Sequence, residues 1–376
     1  MTSIYRTMSL KKVALAAAFA VSAGSVALAA DMPIKAPPPK VKEVPFFFVN
    51  DTSISGTYFF RSTDPGVSGN SNIVPGGTAG LGNTFYRAQG AIDHFDVWEY
   101  GTNLIHLEAD QYGSKDPILG EPGAVGSREF FGFAQSTFGF NELSHSKAFS
   151  NFLTKDVSFM FRITGGVQDN YLSEQTTQYA PGLWFDLNLP GTVGVGITAY
   201  KEFTHNQFNA CGPAGFGDAQ SPAAGLGGGT CGAPFAGSTF DGDRDFEWSW
   251  KFFYFFSEPL TFLPPSLPVT LVGFGSVTGP KGTGISTANC LAVGCFGAAG
   301  AFNNNESKTE SFNNVQLVLA ASKVFWGKPG IWDTYVGYRY WMNKFGTNQN
   351  AALFSTIAPG TSVESTVYLG TTYHFK

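Results

Sequence analysis

From Phe246 to Phe256 every second residue is aromatic. Phe246, Trp248, Trp250, Phe252, Tyr254 and Phe256 share one face of an extended chain, while Asp243, Asp245, Glu247, Ser249, Lys251 and Phe253 share the other. Successive side chains of a β-strand point to opposite sides, so strict alternation predicts a strand with two different faces. An aromatic face backed by a charged one suits a wall with lipid outside and water inside; a soluble sheet would bury the aromatic face in a core instead. The pattern recurs. Val157, Phe159, Phe161 and Ile163 oppose Ser158 and Arg162, and Leu183, Phe185 and Leu187 oppose Trp184 and Asp186. Val336, Tyr338, Tyr340 and Met342 oppose Asp333, Tyr335, Arg339, Trp341 and Asn343. Near the end, Val367, Leu369, Tyr373 and Phe375 oppose Glu364, Tyr368, Thr372 and His374.

Twelve such segments are predicted, near 52–62, 85–97, 102–112, 129–142, 156–169, 176–189, 193–207, 241–257, 268–280, 308–322, 332–345 and 363–375. A tilted membrane strand needs about 9–11 residues, and an even strand number is the rule for single-chain bacterial barrels. The connections sort by parity. Those after even-numbered strands are comparatively short, and those after odd-numbered strands include the long 63–84, 113–128, 208–240, 281–307 and 346–362, with 170–175 as the exception. A soluble sandwich has no reason for that segregation. The expected fold is therefore an all-β, transmembrane, antiparallel up-and-down β-barrel of about 12 strands, with short periplasmic turns and long outer loops.

Composition narrows the function classes. Only 14% of the 376 residues are charged and the net charge is −5, against about 25% charged residues in average domains. No basic patch interrupts the acidic balance, which excludes a nucleic-acid binder. The best internal candidate for a spanning helix, 246–263, carries Glu247, Lys251 and Glu258, charges that are costly at the centre of a helix in lipid. Residues 1–30 read as a secretory signal peptide, with Lys11 and Lys12 before an apolar run and Ala27-Leu28-Ala29 at the cleavage site. Residues 31–50 read as a Pro-rich periplasmic tail and 51–376 as the barrel domain. Cys211, Cys231, Cys290 and Cys295 fall in long outer loops. An exported chain meets an oxidising compartment, and the short separations favour the pairs Cys211–Cys231 and Cys290–Cys295. No zinc-type spacing accompanies them. No phosphate-binding, metalloprotease or nucleophile-elbow motif is present either, so the chain is expected to be no enzyme and to carry no cofactor or metal.

Two stretches go beyond generic barrel character. Asp93-His94-Phe95-Asp96-Val97-Trp98-Glu99-Tyr100-Gly101-Thr102-Asn103, followed by 104–110, resembles the second strand, turn and third strand of the Tsx-like nucleoside-specific channel family. Tyr335-Val336-Gly337-Tyr338-Arg339-Tyr340-Trp341-Met342-Asn343-Lys344-Phe345-Gly346 resembles that family's penultimate strand. Glu108 stands where the family has Asp, His106 replaces an aromatic, and Lys376 displaces the terminal aromatic by one place. The resemblance implies a monomeric twelve-stranded barrel in the bacterial outer membrane that passes nucleosides or similar small solutes. It also implies contact with outer-membrane lipids and lipopolysaccharide, and a biogenesis that uses periplasmic chaperones and the barrel assembly machinery.

Face assignment points Asp93, Glu108, Asp110, Arg162, Tyr200, Glu202, Asp245, Glu247, Lys251, Arg339, Trp341 and Asn343 into the lumen. Aromatics there can stack on a base, and carboxylates can accept hydrogen bonds from ribose hydroxyls. Most other aromatics are expected on the outer wall. Two alternatives stay open: a general or hydrophobic-solute porin, and a structural or surface-binding barrel with a blocked lumen.

Overall fold

The computed structural model describes residues 46–65, 67, 83–118, 125–170, 174–205, 243–282, 307–350 and 359–375. The leader, most of the Pro-rich tail and all four cysteines lie outside the described residues. The described chain forms twelve strands: β1 Phe47–Ser62, β2 Phe85–Trp98, β3 Gly101–Tyr112, β4 Arg128–Gly139, β5 Thr154–Gln168, β6 Gln175–Leu187 and β7 Thr192–His205. These are followed by β8 in two pieces, Asp243–Asp245 and Ser249–Pro259, then β9 Val269–Thr278, β10 Glu310–Leu319, β11 Trp332–Met342 and β12 Val363–Phe375. Each strand pairs antiparallel with the next, and β12 returns to β1, with Gly56 opposite Thr371. Closure removes the sheet edges, which is how an antiparallel sheet survives in lipid.

The short connections gather at one end of the barrel with Phe47 and Phe375. They include Glu99–Tyr100, the turn with helix α1 (Phe140–Ser144), the tight turn at Gly191, and the turn with α2 (Ala321–Trp326). We call this the turn end; the long connections leave from the loop end.

Outward-facing side chains in mid-strand are apolar and exposed, among them Ile54, Ile92, Leu107, Ile197, Val336 and Leu369. Exposed aromatics flank this band: Phe152, Phe262, Phe325 and Trp326 at the turn end, and Tyr58, Tyr86, Trp250 and Tyr338 toward the loop end. An apolar band between two aromatic girdles is a surface made for a bilayer. The inside is the reverse, with Arg87, Asp110, Glu202, Arg339 and Glu364 all buried. This inversion explains the low charge fraction: few residues of the wall face bulk water.

Two expectations are corrected here. Tyr200 pairs with Ser249 while Phe203 pairs with Asp245, so β8 spends one residue more than β7 between those points. Such a bulge resets which face each side chain takes. From Ser249 onward the predicted faces hold. Before the bulge they reverse: Phe246 turns inward and is buried beneath Lys281, and Asp245 turns outward to pair with Lys201. Glu247 is exposed at the bulge itself. Asp245 therefore leaves the lumen set. The second correction concerns the aromatics, more of which line the lumen than expected: besides Tyr200 and Phe253, Phe59, Tyr112, Phe133, Phe274 and Phe312 lie on inward-facing positions.

On the wall formed by β5 to β8, Trp184 lies flat over β7 and packs with Met160, Ala180, Tyr200 and Phe253. Gly194 and Gly196 make this possible, because a Cβ on Gly194 would come within 2.2 Å of the Trp184 ring. Gly194→Ala is accordingly expected to lower barrel stability by about 1–3 kcal/mol, the usual cost of overpacking. The check is the temperature at which the folded barrel loses its fast electrophoretic migration; an unchanged temperature would show that the indole can move aside.

Candidate functional site

The lumen wall is built from two arcs in which charged groups alternate with aromatic faces. The first runs from β2 to β9. His106 on β3 sits between two carboxylates, with Nδ1 2.6 Å from Asp93 and Nε2 2.8 Å from Glu108. Its ring stacks on Phe133 of β4 at 5.2 Å. The Arg162 guanidinium covers the same Phe133 at 3.5 Å and lies 5.2 Å from Phe253. Lys251 follows, 5.5 Å from Phe253 and 4.6 Å from Tyr200. The Tyr200 hydroxyl donates to Glu202, whose other oxygen meets Lys281 at 2.7 Å. Alternation along neighbouring strands creates this order, because register places inward residues of adjacent strands side by side: His106 opposite Phe133, for example.

The second arc spans β1, β2, β3, β10, β11 and β12. Phe59 is held between two guanidinium groups, Arg87 at 4.0 Å and Arg339 at 4.4 Å. Arg87 approaches Asp110 at 3.7 Å, and both arginines reach Glu364 at 4.0 Å. Arg339 also donates to Asn314, and Trp341 donates to Glu310 at 2.6 Å. At the turn end a third acidic group appears, where His374 bridges Asp51 at 2.9 Å and Asp333 at 3.3 Å.

At the loop end, residues of the connections meet residues at the strand ends. Lys344, in the turn Lys344–Gly346 after β11, lies 3.0 Å from both Asp64 and Glu364. Asp64 also accepts from Gln168, at the end of β5, and from Asn170 just after it, four strands further round the barrel. Asn170 extends to Asp116 at 3.2 Å, and Ser127 donates to Asp116 at 2.6 Å. We call this the clasp. All its charged members are buried. Burial lowers the Lys344 pKa, but Asp64 and Glu364 raise it by more, so it stays a cation.

Asp116 behaves in the opposite sense. Burial first, and Asp64 second, hold its carboxyl well above the usual carboxylate range, against the hydrogen bonds from Ser127 and Asn170. The closed clasp thus binds a proton more tightly than a separated Asp116 would. Closure strengthens as pH falls through the raised value and weakens above it. Conductance is expected to drop as pH is lowered through that raised value in the native protein and to stay flatter in Asp116→Asn. The same slope in both would assign the pH response elsewhere.

Of the twelve residues placed inward from sequence, Asp93, Glu108, Asp110, Arg162, Tyr200, Glu202, Lys251, Arg339 and Trp341 lie on these arcs. Asp245 faces outward and Glu247 is exposed, for the reason given above. Asn343 lies just beyond β11, in a left-handed backbone conformation, and donates to the Thr309 carbonyl. Sequence reasoning missed Arg87, Phe133, Glu310 and Glu364 as site residues, although alternation on their strands gives a sufficient signal. It also missed Asp64, Asp116, Lys281 and Lys344, which lie in connections where no periodicity applies.

No family model matches the chain, and no curated protein does. Among solved structures the chain is similar to an outer membrane channel from Pseudomonas putida F1, at 9% identity and a TM-score of 0.40, over 91% of this chain and 100% of that one. It is similar to the β domain of the Bordetella autotransporter BrkA at 9% identity and a TM-score of 0.31, over 87% and 100% of the two chains. The outer membrane channel DcaP of Acinetobacter baumannii gives 9% identity and 0.30, over 87% and 96%.

Proposed function

We propose that the barrel is a passive diffusion channel of a bacterial outer membrane, loop end outward, selective for nucleosides or similar small polar-aromatic solutes. The observation that carries this reading is the first arc, where π faces alternate with hydrogen-bonding groups along one lumen wall. Stacking on an aromatic supplies about 1–3 kcal/mol per base, and Asp93 and Glu108 are placed to accept from hydroxyl groups. Several weak sites in series speed passage without trapping the solute. Twelve strands fall between a barrel filled by its own side chains and an open aqueous pore, so a solute touches the wall as it passes.

A second reading has one observation in its favour. The buried clasp ties four connections together at the loop end, which suits a barrel with a blocked lumen. Planar-bilayer recording separates the two. A channel of this kind conducts, and adenosine lowers its current in a dose-dependent way while sucrose does not. Current unaffected by any nucleoside would overturn the selectivity. No current from the native protein or from Lys344→Met would leave the blocked barrel.

A further inference from the structure

Two cations of the lumen wall form no ion pair. Among the described residues, neither Arg162 nor Lys251 forms an ion pair, whereas Arg87, Arg339, Lys281 and Lys344 each do. Of the nearby acids, Glu202 is engaged by Lys281 and Tyr200, while Glu310 accepts from Trp341 and attracts Lys251 from beyond ion-pair distance. The one side-chain hydrogen bond of Arg162 runs from Nε to Thr164 at 3.4 Å. Both cations lean instead on the same ring, Phe253.

Both are half-buried; a positive charge partly withdrawn from bulk water and not directly paired is costly, and aromatic faces offset only part of that cost. A wall that keeps two such charges together is therefore prepared for an anion from outside the protein. A guanidinium fork matches the geometry of a carboxylate or phosphate, and an ammonium adds a point charge. The surroundings define the rest of the ligand. Phe255 of β8 pairs with Phe274 of β9, next to Phe253, and Phe274 is 38% exposed although it faces inward. An apolar ring left open in the lumen beside two unpaired cations is complementary to a flat ring bearing a negative group.

We propose that Arg162 and Lys251 form an anion subsite, which holds the carboxylate or phosphate of a small aromatic solute while its ring rests against Phe253 and Phe274. This rests on the reading of the lumen as a path for small polar-aromatic solutes and names the charged class it favours. The acidic group Asp93–His106–Glu108 lies on the far side of Phe133 and gives the lumen a second, hydroxyl-accepting station.

The test compares sodium benzoate with benzyl alcohol, a neutral probe of similar size, by calorimetric titration of the full-length protein in detergent. Benzoate is expected to bind about tenfold more tightly or better, the effect of one charge-assisted contact. Arg162→Gln/Lys251→Gln is expected to erase that preference, and Arg162→Lys to keep most of it, with heat-modifiable migration reporting that each variant is folded. Equal binding of the two probes by the native protein overturns the subsite, and needs no variant to fold. A preference that survives in the folded double variant overturns it as well. Bilayer current separates this proposal from the channel reading. Conduction with equal binding of the two probes sinks the subsite alone, whereas benzoate preference without current supports the subsite and sinks the channel.

Discussion

Arginine at Ile197 and Leu369 together is expected to abolish assembly of the barrel. Both residues lie near the middle of their strands, β7 and β12, and both point outward, at 58% and 50% exposure. Ile197 is paired with Phe252, and Leu369 is flanked by Val336 and Tyr58, so each sits within the apolar band. An Arg at the bilayer midplane of such a wall costs about 2–4 kcal/mol, and two far-apart sites add. Total stabilities of folded proteins are about 5–15 kcal/mol, so the pair removes much or all of the margin. The measurement is the yield of heat-modifiable, membrane-integrated protein, with Ile197→Met/Leu369→Met as the control. A normal yield from the arginine variant would mean that these faces do not meet lipid.

The wall of this barrel was legible because alternation is a local signal with a period of two, and each of the twelve strands carries it. Phe159, Phe161 and Ile163 face out and Arg162 faces in because nothing interrupts β5 between them. The same logic failed at one point for a physical reason. An extra residue between Asp245 and Ser249 leaves the composition of the segment unchanged, yet it exchanges the faces of Asp245 and Phe246. No feature of the local sequence marks that bulge, because its cause is register against β7. The use of the lumen aromatics was hidden for another reason. Alternation turns Phe133 and Phe253 inward, but their role as supports of the Arg162 guanidinium, contributed by another strand, is set by register alone. The clasp was invisible altogether. Asp64, Asp116 and Lys344 lie in irregular connections and come together only when the barrel closes.

Removing the cation at the centre of the clasp is expected to have the largest effect on the loop end. Lys344 donates to Asp64, to Glu364 and to the Thr63 carbonyl, and both carboxylates are nearly or wholly buried. Lys344→Met keeps most of the volume but strands two acids without their partner, a change that costs about 3–5 kcal/mol when a buried pair is broken. Glu364 retains Arg87 and Arg339 at 4.0 Å, so the strain falls mainly on Asp64. Asp64, just after β1, is held from the opposite side by Gln168 and Asn170. The expected result is a lower melting temperature together with a larger and noisier single-channel conductance, since the buried network across the loop end loses its central cation. Adding Asp64→Asn to Lys344→Met removes the stranded charge. It should recover a good part of the stability without restoring the closure, because a double-mutant cycle reads the coupling of the pair rather than the sum of two losses. If Lys344→Met left both the melting temperature and the conductance unchanged, the clasp would be an incidental contact, and the closure of the loop end would have to be sought in other residues.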